Sequence, residues 1–475
     1  MANKLYTISE FGGIDQSREE SLIDRGSTAD ACNMDTSDGA LSVASGYSKH
    51  IAQPVPDEEE ISHFYIFETT EHGMQTVVMA GRSIWAFRGG EWTKIYEYQT
   101  ECIPVKFACT EAKIGDTDHL LIACGESGIV KYDGETAADF GSGENLSNVS
   151  AAYVTMFSGR LFAAGVPEHP NRLYYSRLPG GGRTIEEWTP VEASPNVEGG
   201  HVEVGNTSAD RITALCAMSN QLLIFKERSL YRLIGDRPAN YVLERIDADV
   251  ERMNQNAFVH VRDMGFYMTD KGMFVFNGVT SATAPDARRI RHILDGADAS
   301  DSRGAATRTK LYFTLTKRGG ERCIIEYDMQ RGCYMQRCGF DVIHILSFRG
   351  ELYMVNSARY IYKFDDSHSY DGAPIAAWWR TPQTDLSDKG CIKRLTELYL
   401  RGSSVDDAAV NIDVTVGGLS QSHRLLLPMT PQEVFELPLK NEGRTFCIRF
   451  SNENGGIFSI RGGVELELAL NRRVE

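Results

Sequence analysis

The sequence predicts an all-β chain, and three observations carry that prediction. Strand-forming aromatics are abundant, with 20 Tyr and 21 Phe, and 44 Gly against 15 Pro suit tight turns. Apolar and polar residues alternate over short segments bounded by turn signals such as Asp133-Gly134 and Asp270-Lys271-Gly272, which is the period of a strand and not of a helix. One strand, turn, strand unit also recurs down the middle of the chain.

Seven copies of that unit can be read. They are QTVVMA-GRS-IWAFRGG from Gln75, HLLIAC-GES-GIVKYDG from His119, RLFAAG followed by RLYYSR from Arg160, QLLIFK-ERS-LYRLIG from Gln221, GFYMTD-KG-MFVFNG from Gly265, KLYFTL through CIIEYD from Lys310, and ELYMVN-SAR-YIYKFDD from Glu351. Successive starts lie 44, 41, 61, 44, 45 and 41 residues apart. A four-stranded propeller blade takes about 40 to 50 residues and cannot bury both faces alone, so copies at this spacing must stack on one another around a ring. The expectation is a seven-bladed β-propeller (six to eight) over residues 61–372. The long interval holds a Gly/Pro-rich insertion at 178–205, expected as a loop or extra hairpin projecting from one face. PDARRIRHIL from Pro285 is the one helical signal, and its Arg288, Arg289 and Arg291 are expected on a solvated face.

The ends differ from the middle. Residues 1–60 string together turn signals (FGGID, SDGALS, SGY) and are expected as an N-terminal arm that wraps the ring or reaches a neighbour. Residues 373–475 carry strands at short regular spacing, RLTELYLRG, AVNIDVTVGG, HRLLLPM, VFELPLK, TFCIRFSN and VELELAL, which predicts a separate β-sandwich.

The net charge of -16 is spread along the chain and argues against a tight grip on nucleic acid, which needs Lys and Arg to displace counterions from phosphates. Passage of DNA along a non-sticking wall is compatible with it. The ten cysteines, Cys32, Cys102, Cys109, Cys124, Cys216, Cys323, Cys333, Cys338, Cys391 and Cys447, show no C-x-x-C pair or metal-like spacing and are expected as reduced core residues, with a local bridge open only to Cys333 and Cys338. MANKLYTISEF has no basic stretch leading into an apolar one, and no apolar run reaches the roughly 18 residues that span a bilayer, so synthesis in a cytosol is expected and no membrane span.

The Asp-box S-x-D-x-G-x-T-W of propeller sialidases is absent, as are G-x-S-x-G, H-E-x-x-H, a P-loop, an EF-hand loop and the WD dipeptide. Asp35 with Asp38, and Asp365 with Asp366, pair carboxylates in sequence, but turn formation through bonds to nearby amides accounts for them. Trp85, Trp92, Tyr132, Tyr174, Tyr175, Tyr231, Phe276 and Tyr362 recur in the same repeat strand; packing between blades explains all of them at once, and a glycan-binding groove is the alternative. No catalytic residue, metal or cofactor is assigned.

Three blocks of the chain resemble a known family. At the start stand Gly12, Gly13, Ile14 and Asp15, then Ala29, Asn33 and Met34, then Gly39, Leu41, Gly46 and Tyr47. The other two are IFKERSLYRLIGDRPANYVLERI from Ile224 and WWRTPQTDLSDKGCIKRLTELYL from Trp378. They are similar to the propeller-containing tail hub or nozzle proteins of short-tailed bacteriophages, which include packaged-DNA stabilisation proteins and tail accessory factors. The resemblance implies a structural, non-enzymatic virion protein assembled in the cytoplasm of a bacterial host. It implies a homo-oligomeric ring, a hexamer in that family, beneath the portal and adaptor, extending the DNA channel and helping to retain or release the genome with at most weak DNA contact. Two alternatives stay open: a host-surface glycan-binding or glycan-cleaving propeller, and an intracellular scaffold propeller.

Overall fold

A computed structural model describes residues 2–57, 59–99, 107–141, 149–189, 196–207, 209–246, 253–284, 286–405, 407–430 and 434–472. Strands dominate, arranged in many small antiparallel sheets. Seven of these sheets follow one another along the middle of the chain in a propeller-like succession. Their first strands are Ile61–Thr69, Ala108–Ile114, Tyr153–Phe157, Ile212–Met218, Val259–Val261, Gly304–Ala306 and His344–Phe348. Each of the first six sheets is a four-stranded meander built from consecutive hairpins.

The cores lie between sheets. Val77, Ile84, Leu120 and Val130 join the first sheet to the second; Leu121, Val154 and Leu161 the second to the third; Phe162, Leu173, Leu215 and Leu222 the third to the fourth; Leu223, Phe225, Tyr267 and Phe274 the fourth to the fifth. A further cluster sets Ile61, Phe64 and Val78 of the first sheet against Tyr353, Val355 and Ile361 of the seventh, so the succession closes on itself. This is why the repeat strands are apolar on both faces: each sheet is sandwiched by its neighbours. All eight recurrent aromatics pack in these inter-sheet cores, as the packing reading expects.

The seventh sheet takes its fourth strand from far upstream. Tyr47–Lys49 pairs antiparallel with Ile361–Phe364, Tyr362 facing Lys49 and Phe364 facing Tyr47. The Tyr47 ring stacks on Tyr370 at 4.9 Å and meets Tyr362 edge-on at 5.0 Å.

The segment 1–60, expected as an arm, is instead woven into three sheets through its strands between residues 2 and 49. Apart from Tyr47–Lys49, Ala2–Ile8 pairs along Phe458–Arg472, and Met34–Asp35 with Leu41–Val43 extends the same seven-stranded sheet, whose other long strand is Cys391–Ser404. Asp30–Cys32 pairs with Trp378–Arg380 in a five-stranded sheet completed by Phe446–Asn452, Ala409–Val416 and Leu419–Leu426. Alternate residues of these two sheets, among them Tyr6, Leu398, Ile412, Val414, Ile448 and Leu466, share a core that is continuous with that of the fifth, sixth and seventh ring sheets. Apart from Ala2–Ile8 the N-terminal strands are two or three residues long, and all but Met34–Asp35 pair with partners more than 300 positions away, so no local alternation betrays the short ones.

The cysteine expectation is corrected too. Cys32 and Cys338 form a disulfide across 306 positions, tying the N-terminal segment to the end of the sixth sheet, and Cys124 is also disulfide-bonded. Cys333 is free, so the local bridge is not made, while Cys109, Cys216, Cys323, Cys391 and Cys447 are free as expected. Cys102 lies outside the described residues.

The insertion at 178–205 links the third strand of the third sheet to its fourth, Gly200–Glu203. Part of it packs inward: Ile185 and Trp188 are buried between the second and third sheets, and the fully buried Arg160 donates to the carbonyls of Asn196 and Glu198 at 2.6 and 2.9 Å. Positions 190–195 are outside the described residues. A short helix is present, as Ala287–Ile290 continuing into Arg291–Leu294, with Arg288 and Arg291 exposed; Pro285 is outside the described residues.

Asn33 holds the N-terminal segment against the ring. With φ of 55°, it donates from its side-chain amide to the carbonyls of Cys338 and Ala376 at 2.9 and 2.8 Å and accepts from the Cys338 amide and the Tyr370 hydroxyl at 3.0 and 2.9 Å. Asn33→Gly keeps the left-handed backbone accessible while removing the carboxamide. It is expected to lower stability by about 1–3 kcal/mol through the buried groups left unpaired; urea unfolding followed by tryptophan fluorescence measures it, and an unchanged midpoint would contradict this role.

Candidate functional site

The residues that carry the family resemblance at the start of the chain converge on one region, the seam where the N-terminal segment meets the sixth and seventh ring sheets and the two terminal sheets. The Gly12 amide donates to the Gly26 carbonyl at 2.6 Å, and its own carbonyl accepts from the Trp379 indole at 3.0 Å. A side chain on Gly13 would strike the Tyr334 carbonyl, and Ile14, buried, donates its amide to that same carbonyl at 2.7 Å. The Asp15 amide donates to Thr28, and its carboxylate accepts from the Ser17 amide at 2.9 Å. Gly39, with φ of 80°, accepts from the Phe11 amide at 2.9 Å. Gly46 passes so close to the Ser369 carbonyl that a Cβ would overlap it, and the next residue is Tyr47 of the closing strand.

The block beginning at Trp378 meets this segment directly. Trp378 donates to Asp30 at 3.0 Å, Trp379 to Gly12, and the Arg380 guanidinium grips Glu20 through two bonds of 2.8 Å. The middle block is elsewhere: Ile224–Ile246 supplies hairpin strands of the fourth ring sheet.

An ionic network that sequence reasoning missed lies under the seam. Glu326, buried, accepts from Lys310 and, at 2.8 Å, from Arg337; Lys310 reaches Asp35 at 3.2 Å, and Arg337 donates to the Ser45 carbonyl at 2.8 Å. Burial raises the Asp35 carboxyl, but Lys310, the Ser37 bonds and Arg337 outweigh it and bring the group down to about 2. Burial likewise works against the charged forms of Lys310 and Arg337, and the Glu326 carboxylate overcomes it and holds both cationic. Two carboxylates and two cations therefore neutralise one another, and the arrangement binds segments together in place of polarising a substrate. The remaining sequence-paired carboxylates sit in turns: Asp38 accepts from the Ala40 amide at 3.1 Å and Asp365 from the Ser367 amide at 2.9 Å. No group of three or more potential metal ligands occurs among the described residues.

The middle of the ring is crossed by the turn Gln255–Ala257, which precedes the first strand of the fifth sheet. Gln255 donates to the Val154 carbonyl of the third sheet at 2.9 Å and accepts from the Leu215 amide of the fourth at 3.3 Å. Asn256 reaches the Phe107 carbonyl at the start of the second sheet at 3.0 Å, and the Ala257 carbonyl lies against Gly304 of the sixth. One turn thus bonds or packs against the inner strands of four other sheets, and their separation around the ring requires it to lie across the centre.

Where the first and seventh sheets meet, His63 and His344 lie 6.3 Å apart, both buried, beside the buried Arg303, which pairs with Asp301 at 3.0 Å. Burial, reinforced by Arg303, lowers His63 to about 3; burial together with Arg303, His63 and Arg322 puts His344 well below its ordinary value.

No family model and no curated protein matches the chain. Solved structures similar to it include the WD40 domain of Neurospora crassa Pan2, at 11% identity and a TM-score of 0.42 over 67% of this chain and 94% of that one. Also similar are the extracellular domain of the putative hybrid two-component system BT4673 of B. thetaiotaomicron, at 11% identity and 0.41 over 67% and 40%, and an exo-β-1,3-galactanase of Phanerochaete chrysosporium, at 8% and 0.25 over 66% and 94%. Likenesses at these scores carry no argument about what this chain does.

Two outcomes are expected. Glu326→Gln leaves Arg337 buried without its carboxylate and Lys310 with Asp35 alone, and is expected to cost about 3–5 kcal/mol in urea unfolding. His63 is neutral in the folded chain and protonates near its ordinary 6.5 in the unfolded one, so stability is full above that value and falls as pH drops from 6.5 toward about 3. A pH series of thermal midpoints checks it: the acid slope should flatten in His63→Gln and further in His63→Gln with His344→Gln, and an unaltered slope would assign acid lability to other groups.

Proposed function

We propose that this chain is a structural protein of a phage tail hub or nozzle, built as a seven-bladed β-propeller joined to a β-sandwich, and that copies of it surround the DNA path below portal and adaptor. The observation that carries the reading is where the resembling residues lie. Gly12, Gly13, Ile14, Asp15, Asn33, Gly39, Gly46 and Tyr47 serve the seam that welds both ends of the chain to the ring, with Trp378, Trp379 and Arg380 on the other side of it. Residues spent on joining units suit a protein whose task is to hold a shape under load.

Two further features agree. The charge of -16 disfavours sticking of the polyanion to the wall, so DNA can slide past during ejection. The Cys32–Cys338 disulfide suits a particle that ends up outside a reducing cytoplasm. The turn at 255–257 also refines the geometry: the DNA path runs along the axis of the oligomer, outside each ring of sheets, since that ring is crossed at its centre.

Negative-stain microscopy of the purified chain mixed with portal and adaptor complexes tests this. Added ring density at the tail vertex is expected, and chains that stay free in solution with bare portal-adaptor vertices would reject the reading.

A further inference from the structure

Among the described residues most sheet edges are protected. The outer strands of the ring sheets are charged (Glu91, Lys94 and Glu97 in Glu91–Glu97; Glu244 and Arg245 in Val242–Ile246), or only three residues long (Ala137–Asp139, Ser281–Thr283), or covered, as Cys333–Arg337 is by Ile14 and Asn33 and Ile361–Phe364 is by Tyr47–Lys49. These are the ways a soluble protein avoids edge-to-edge pairing. Leu419–Leu426 is eight residues long and uncovered, and Arg424 is its one charged side chain. It pairs over all eight residues with Ala409–Val416 in unbroken register, and among the described residues no strand pairs with its other side. Arg424 bonds Glu453 at 2.7 Å. Leu419 is 79% exposed and Leu426 55%, and Met429, 64% exposed, stands just beyond on a groove lined by Asp407, Leu427, Pro428 and Phe435.

Charge selects the occupant. Two copies of a chain of net -16 repel each other over most of their surfaces, but Ala409 to Thr430 contains one Asp and one Arg, so this patch can meet itself without repulsion. We propose that a second copy of this chain adds its own Leu419–Leu426 strand to the edge, antiparallel about a two-fold axis normal to the sheet. Such an axis keeps the faces of both sheets aligned, so opposed residue numbers sum to an even value. The register centred on Ser422 sets Leu419 of each copy against Leu425 of the partner subunit on the core-side face, and Ser420 against Arg424 of the partner subunit, giving two apolar contacts from one contact type. The pairing is a property of the free chain, shielding the edge before assembly, and does not rest on the tail reading.

Sedimentation velocity on the full chain at tens of micromolar, with Leu419→Lys/Leu426→Lys and Ser422→Cys variants, tests it. The expected results are a wild-type dimer, a monomer of unchanged circular dichroism and thermal midpoint for the double lysine variant, and a covalent dimer on oxidation of Ser422→Cys that oxidised wild type does not form. A monomeric wild type overturns the proposal, as does a dimer that survives both lysines. Dissociation by the lysines without cross-linking through position 422 overturns the two-fold register, because the occupant is then a different strand.

Discussion

The first ring sheet begins at residue 61, and the third strand of the seventh, Ile361–Phe364, takes no neighbour on its outer side from the residues that follow it. Tyr47–Lys49 fills that edge from the other side of the whole repeat. Because it lies upstream of the first sheet, its hydrogen bonds tie the beginning of the ring to its end, alongside the apolar cluster that joins the first sheet to the seventh. Tyr370 stacked on Tyr47 and Tyr362 and Phe364 edge-on to it secure the strand laterally, and Gly46 passes close under Ser369 where the strand begins.

The same segment determines how the two halves of the molecule relate. A lone closing strand would leave residues 1–46 free, but the Asn33 carboxamide, the Cys32–Cys338 disulfide and the Asp35, Lys310, Glu326 and Arg337 network fasten them to the sixth sheet, while Ala2–Ile8 and Asp30–Cys32 are strands of the terminal sheets. The terminal sheets therefore hang on the ring through hydrogen bonds and charges as well as through a shared apolar core. A buried network of this kind contributes little net stability over an apolar equivalent, and its value is that a misplaced segment would bury unpaired charge.

Much of the ring was legible in the sequence. The seven strand pairs lie where the repeated strand, turn, strand unit is read, since each hairpin is local and both its strands and its turn are written within about 20 residues. The inter-sheet role of Tyr132 or Phe276 was legible for the same reason, recurrence at one repeat position. The ends were not. Asp30–Cys32 and Met34–Asp35 are too short to show a period, and Asp35 reads as a turn former, in keeping with the bond its carboxylate accepts from the Ser37 amide, while its bond to Lys310 depends on a contact across 275 positions. The short spacing of C-terminal strands announced sheets, but nothing in it announced that the first 43 residues complete them.

By itself, then, the sequence determined the strands, the repeat, the acidic surface and the absence of any recognised catalytic signature, all of which are local or compositional. The tertiary structure decided where the arm goes, which cysteines pair, which carboxylate joins a buried network, that Gln255–Ala257 crosses the ring, and that Leu419–Leu426 is an open edge. Each of these is a pairing between distant segments, and its free energy belongs to the juxtaposition and to neither partner alone, so it leaves no mark in either stretch of sequence.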